Sequence, residues 1–304
     1  MRRTHTRLVT ASVAAAITLF AAACGEDDDG GSPSAATTTA AATATSASPA
    51  DTASPSVSPA DTASPTAAPA ANLKLVKAGK LTTCTHLPYA PFQSEKDGKI
   101  VGFDVDLIDL AAKKLGLEQE IVDTPFETIK TGADLNAGKC DVAAAGMTIT
   151  DERKAVMDFS VPYFDATQAL LAKKGSGITS LETAKGKKVG SQSGTTGEDF
   201  VKKAGLNPVS FEASDAELNA LRSGQVEVIV QDLPVVSEWL KDPANKDFEI
   251  VANLDTKEQY GFAVKKGADP ALLKAIDDAI TEAKADGTYD QLHEKWLGVK
   301  PAKK

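Results

Sequence analysis

Histidine, cysteine and aromatic residues are all scarce in this chain of 304 residues, which holds three His, three Cys and only 5% aromatics. Each scarcity closes off a kind of chemistry. His5 falls in the N-terminal leader, so His86 and His293 alone remain for nucleophilic or metal work. Cys84 and His86 stand two apart on one predicted strand, but no second close pair completes a metal site, and neither metal nor cofactor is expected. Basic residues are not in excess: 33 Lys and Arg face 42 Asp and Glu, a net charge of −9, which argues against a nucleic-acid surface. Apolar runs of membrane length are absent beyond residue 23, so the folded part is expected to be soluble and to meet a membrane only through an anchor.

What is present begins with an export signal. Arg2, Arg3 and Arg7 precede an apolar stretch from Leu8, and Ala21 to Ala23 supply small residues before a cleavage point, so residues 1–23 read as a signal peptide. Cys24 follows three alanines and resembles the lipobox of bacterial lipoproteins, with Ala21 where leucine is usual. Lipidation of Cys24 is expected, with cleavage by an ordinary signal peptidase and release as the alternative. Residues 24–71 are rich in Ala, Ser, Thr and Pro after an acidic start, and "ADTASP" occurs twice, at 50–55 and 60–65. With little to bury, this stretch is expected to be a disordered tether. Random-coil scaling gives it a span of roughly 40 Å.

Residues 72–304 alternate strand and helix signals, which predicts an α/β fold with mainly parallel sheets. "KLTTCT", "QEIVDT" and "CDVAAAG" read as strands. "DVDLIDLAAKKLG" reads as a helix stopped by Gly116, and "TIKTGADLNAGK" as another. A second set runs from "QALLAKK" through "KKVGSQSG", "PVSFE" and "VEVIVQD", with helices at "TGEDFVKKAG" and "DAELNALRSG". After "YGFAVKK" comes an amphipathic helix with Leu272, Leu273, Ile276, Ala279, Ile280 and Ala283 on one face. Tyr289, Leu292 and Trp296 mark a last short helix packed on the core.

"GMTITDERK" raises the first question of function. Thr150, Asp151 and Glu152 read as a helix start, yet Arg153 places a cation in the same turn, against the positive end of the helix dipole. Either solvent and an acid such as Asp151 or Asp158 screen it, or an anion sits against it. In "SQSGTTGED", Gly194 and Gly197 bracket a strand-to-helix turn able to present N–H groups, without the spacing or lysine of a P-loop. Asp232 ends an apolar strand just before Leu233 and Pro234, where the plain role is a helix N-cap. Tyr89 and Phe126 read either as core packing or as ligand-facing rings; the loop setting of Tyr89, between Pro88 and Ala90, favours the second.

Taken in order, "THLPYAPFQ", "GKIVGFDVDLIDLAAKKLG", "NAGKCDVAAAGMTITDERK", "MDFSVPYF", "GKKVGSQSGTTGEDF", "VEVIVQDLP" and "DGTYDQLHEKWLG" resemble the family 3 extracellular solute-binding proteins that deliver polar amino acids to ABC importers. The resemblance spans essentially all of 72–304 and implies a two-lobed periplasmic-binding-protein-like fold of type II, acting as a monomer without catalysis. Lobe 1 would take 72–164 and 261–304, lobe 2 would take 168–256, and hinge crossings would fall at 165–167 and 257–260. Arg153 would bind the α-carboxylate of an amino acid with help from Thr148 and the turn at Thr195 and Thr196. Asp232 would bind the ammonium with Gly146 and Thr148. Tyr89 and Phe126 would sandwich the side chain. His86, Gln192 and Gln231 would face its far end; with His86 where many relatives carry an acid, a polar neutral or acidic ligand is expected.

Three further expectations depend on that resemblance. The permease of an ABC importer is the expected protein partner, at the outer face of the cell membrane. Cys84 and Cys140, on strands that the family topology sets side by side, are expected to pair, with two buried free thiols as the alternative. A cyclohexadienyl-dehydratase-like enzyme and a ligand-sensing lipoprotein are the competing functions on the same scaffold.

Overall fold

A computed structural model describes residues 73–302, so the expected signal peptide, Cys24 and the tether lie outside the described residues. The chain opens with β1 (Lys80–Thr85), buried from Leu81 onward. A hairpin of β2 (Ser94–Lys96) and β3 (Lys99–Val101) leads into α1 (Phe103–Lys114). This helix has Asp104 and Asp106 in its first turn and Lys113 and Lys114 in its last, as the helix dipole favours. β4 (Glu118–Asp123) then returns parallel to β1. The stretch read as one helix is two: Gly132, at φ 71°, separates α2 (Phe126–Lys130) from α3 (Ala133–Asn136). A left-handed residue of this kind costs glycine little and breaks the helix. β5 is only Val142–Ala143, followed by α4 (Asp151–Val156) and β6 (Met157–Phe159).

The chain then crosses to a second sheet. β7 (Phe164–Lys173), β8 (Val189–Gln192), α5 (Thr196–Lys203), β9 (Val209–Phe211) and α6 (Ser214–Ser223) follow in turn. Next come β10 (Val228–Asp232), α7 (Leu233–Trp239) and a long strand, β11 (Phe248–Tyr260). β12 (Ala263–Lys265) returns to the first sheet, and α8 (Pro270–Asp286) and α9 (Thr288–Leu297) pack on it. On α8, Ala275 is buried where Leu273 was expected, and Leu273 packs at the margin.

The strand orders are β4-β1-β5-β12-β6 and β11-β7-β10-β8-β9, the two-lobed α/β architecture. Parallel and antiparallel ladders balance in each sheet, because the crossing strands run against their neighbours: β12 against β5 and β6, and β7 against β10 and β11. Phe164 pairs with Tyr260 and Ala166 with Glu258 at the crossing itself. Both faces of each sheet are covered. In the first, Phe103, Leu107, Ile276 and Ile280 fill one side and Ile129, Leu135, Met147 and Met157 the other. In the second, Leu218, Leu221 and Val236 lie on one side and Ile178 and Val201 on the other.

Cys84 of β1 and Cys140 before β5 are joined by a disulfide with Cα atoms 5.6 Å apart. Cys84 is therefore not free to begin a metal site with His86. Among the described residues no cluster of His, Cys, Asp or Glu is suited to a metal, and no helix is long and apolar enough to cross a membrane.

Candidate functional site

Thr150 caps α4, accepting from the Arg153 amide at 3.2 Å, and this fixes the direction in which the arginine leaves the helix. The side chain turns inward and is 6% exposed. Nη1 donates to the Thr148 carbonyl at 2.7 Å, and Nη2 reaches across the cleft to the Gly194 carbonyl at 3.2 Å. Its Cζ lies 5.4 Å from the centroid of Phe126, a cation–π contact. The solvent ion pair considered from the sequence does not form: Asp151 faces Lys154 at 3.8 Å and Asp158 pairs with Lys266 at 2.7 Å. No carboxylate among the described residues lies within ion-pair distance of Arg153. Burial lowers its pKa, opposed by the charges of Glu258 and Asp232.

Asp232 ends β10 on the facing side of the cleft. It stands at the N-cap position of α7 but makes no side-chain cap bond, which corrects the expected capping role. Its carboxylate is spent sideways: it accepts from the hydroxyls of Tyr89 and Tyr260 and from Gln168 Nε2. Burial, with Glu258 nearby, raises its pKa to about 6.

Gly146 lines the same pocket. Its φ is 55°, and a Cβ there would stand 2.8 Å from Tyr89 Cε1, so only glycine lets the tyrosine ring approach this loop. Asp104, fully buried in the first turn of α1, holds the loop by accepting from the Gly146 amide at 2.8 Å while taking the Tyr163 hydroxyl at 2.6 Å. Burial raises the pKa of Asp104 to about 7.

At the other end, His86 lines the pocket with both ring nitrogens turned to backbone carbonyls, Nδ1 to Thr124 at 3.0 Å and Nε2 to Glu212 across the cleft at 3.2 Å. Gln192, Thr195 and Thr196 also line it. Thr195 caps α5 through Glu198 N at 3.1 Å and donates to the Gln192 carbonyl at 2.7 Å. Gln231 does not reach the pocket wall. Its side chain lies behind the wall under α6, where Nε2 donates to Glu217 at 2.9 Å and Oε1 accepts the Tyr89 hydroxyl at 2.9 Å.

Two side chains not singled out from the sequence complete the arrangement. Gln93 lines the pocket, 1% exposed. Glu258, on the crossing strand β11, gathers the hydroxyls of Thr148 and Thr196 and the amide of Gln168, each at 3.1 Å, on one oxygen. The result is a pocket between two lobes with a buried guanidinium at one end, an ionisable carboxylate opposite and two aromatic rings in its walls.

Comparison with known proteins bears on the family and the fold. The profile of the bacterial extracellular solute-binding proteins, family 3, matches residues 81–299. A probable histidine-binding protein of Neisseria gonorrhoeae is 36% identical over 216 residues, 69% of this chain and 80% of that protein. The ABC transporter glutamine-binding protein GlnH of Bacillus subtilis (strain 168) is 36% identical over 214 residues, 69% of this chain and 77% of its own. Among solved structures, an ancestral arginine-binding protein bound to glutamine superposes with a TM-score of 0.68 at 44% identity, over 73% of this chain and 99% of that one. The two-lobed fold, the profile and these relatives agree, and the chain belongs to the bacterial extracellular solute-binding proteins, family 3.

Proposed function

We propose that this protein captures a free polar amino acid between its lobes outside the cytoplasm and delivers it to the permease of an ABC importer. The observation that carries the reading is Arg153, a buried guanidinium without a carboxylate among the described residues, facing an Asp232 whose own partners are all neutral. A zwitterion supplies both missing charges. The α-carboxylate would take the remaining N–H groups of the Arg153 fork and the turn at Thr195 and Thr196. The ammonium would take Asp232 and the acceptors of Gly146 and Thr148, with Tyr89 and Phe126 against the side chain. The relatives named for histidine, glutamine and arginine support an amino-acid ligand. In this reading Cys24 carries lipid, residues 24–71 tether the lobes to the outer face of the membrane, and the protein works as a monomer.

A thermal-shift screen of the full chain against amino acids, polyamines and sugars tests the proposal. Ligand at about 100 times Kd adds roughly 2.7 kcal/mol to stability. Hits among free α-amino acids are expected, and a sugar hit without any amino-acid hit overturns the reading. The raised pKa of Asp232 is the feature that would suit a dehydratase, since a general acid must hold a proton near neutral pH. Turnover of a cyclohexadienyl substrate would replace binding with that function. An unlinked importer and ligand-dependent binding to a membrane receptor would instead favour a sensor.

A further inference from the structure

Helix α6 grips the loop that carries Tyr89 at two points one turn apart. Ser214, the first residue of the helix, donates through Oγ to the Pro88 carbonyl of the first lobe at 2.6 Å. Glu217 stands three positions further on, the spacing that sets two side chains on one face of a helix. It reaches the next loop residue, Tyr89, through Gln231: Gln231 Nε2 donates to Glu217 Oε2, and Gln231 Oε1 accepts the Tyr89 hydroxyl, each at 2.9 Å. Both helix residues are buried, and Glu217 is 0% exposed.

This chain of bonds has a fixed direction. The backbone N–H of Asp232, a donor under all conditions, points at Gln231 Oε1 at 2.8 Å, so the amide oxygen faces that side and the amide nitrogen faces Glu217. Glu217 is therefore the acceptor in their contact. Without it Gln231 Nε2 would be a buried donor with no partner, a costly state, and the amide that holds the Tyr89 hydroxyl would lose its second anchor. The charge that reaches Glu217 is negative: burial first, then Asp232, raises its pKa well above the carboxylate range, and its Oε1 is buried with no partner among the described residues. The titratable groups around the chain are Tyr89, Asp232, Tyr260 and Glu258, none of them a cation. An uncharged acid fits such a place, and a carboxylate does not.

We infer that Glu217 is a positioning residue for ligand capture: as an uncharged acceptor behind the pocket wall, it holds Gln231 so that the Tyr89 hydroxyl is fixed against Asp232 across the cleft. The inference rests on the proposed capture of a free amino acid. Glu217 itself does not line the pocket. It acts on two groups that do, the Tyr89 ring, whose tilt its hydroxyl sets, and Asp232, whose carboxylate accepts that hydroxyl.

Calorimetric titration of the full chain with glutamine, histidine and arginine, alongside thermal melts of the ligand-free variants, tests it. Glu217→Met keeps the bulk and removes the acceptor, and the tightest of these ligands should bind it about tenfold or more weakly, as a buried donor left unpaired implies. Glu217→Gln keeps an uncharged acceptor and should bind within about threefold of wild type, with the pH dependence of binding in place because no charge beside Asp232 has been removed. In a Tyr89→Phe background, where the hydroxyl is gone, Glu217→Met should cost less than about threefold further. Gln231→Met breaks the same chain at its middle and serves, with the same expected losses, where Glu217→Met does not fold. Wild-type affinity in Glu217→Met, equal losses with and without the Tyr89 hydroxyl, or a pH dependence displaced in Glu217→Gln overturns the inference and leaves amino-acid capture standing. Failure of all these amino acids to bind the wild-type chain overturns the capture reading as well.

Discussion

Glu258 Oε2 accepts the Thr196 hydroxyl at 3.1 Å, and so ties the strand that crosses between the lobes to the first turn of α5. The same oxygen takes Thr148 from the first lobe, so one carboxylate on the crossing strand bridges both walls of the cleft. Its charge also reaches Asp232, where it is the second cause, after burial, of the raised pKa.

Ligand affinity is therefore expected to depend on pH through Asp232. An ammonium binds the ionised carboxylate, and below about 6 the proton must leave first. Affinity should hold above that pH and fall by up to about tenfold per unit below it. Glu258→Gln removes the neighbouring charge and should move the midpoint to lower pH. Calorimetry from pH 4.5 to 8 reads both, and a flat wild-type profile would remove Asp232 from the ammonium site.

Arg153→Ala should cost about 2 to 5 kcal/mol of binding, the usual result of removing one partner of a buried charge-assisted contact. Arg153→Lys should not restore the wild-type value, because an ammonium cannot hold Thr148, Gly194 and both oxygens of a carboxylate as the planar fork can. Titration alongside a thermal melt of the ligand-free variants separates lost binding from lost fold. Unchanged affinity would leave the buried guanidinium with an interlobe structural role alone.

The disulfide closes a sequence separation of 56 residues between two buried positions. Chain-entropy scaling for a loop of this length gives about 4 kcal/mol, and measured bridges commonly yield about 2 to 4. The double variant Cys84→Ala with Cys140→Ala should lose stability of that order in denaturant unfolding, with ligand affinity largely kept, since neither cysteine lines the pocket. A variant as stable as the parent would assign the bridge no energetic role.

Arg153 was legible because a cation in a first helical turn violates a local rule, and such violations collect at functional sites. Its depth was not legible, since one-dimensional spacing offers Asp151 and Asp158 as easy partners. Gln93 lies in the motif "THLPYAPFQ" and Glu258 in the expected hinge crossing, but neither stands out there as a site residue, since a common polar side chain shows its role only once the pocket is assembled. Gln231 stands behind the pocket wall, where its amide holds the Tyr89 hydroxyl and Glu217. Glu217 of α6 is fully buried against Gln231, and burial raises its pKa well above the carboxylate range.

Asp104 supplies the last expectation, one of stability against pH. Its carboxyl titrates near 4 in an unfolded chain and at about 7 when buried in α1. A carboxyl whose pKa rises on folding holds its proton more firmly in the folded state. Its favourable contribution is therefore complete below about 4 and is lost as the pH climbs through 7. Three units correspond to about 4 kcal/mol at most. Asp232 acts in the same sense up to about 6. The surface acids Glu118 and Glu227 and the half-buried Asp158 have lowered pKa values and have finished titrating below this window. The ligand-free protein should accordingly melt at a higher temperature at pH 5 than at pH 8. Asp104→Asn mimics the protonated carboxyl: its oxygen can accept from Gly146 N while its amide donates to the Tyr163 hydroxyl. That variant should lose the share of the pH dependence that Asp104 carries, leave the shares of Asp232 and Glu217, and keep the loop that Gly146 begins. A pH slope unchanged by the substitution would show that Asp104 is already ionised in the folded core and that its two hydrogen bonds carry the charge without a proton.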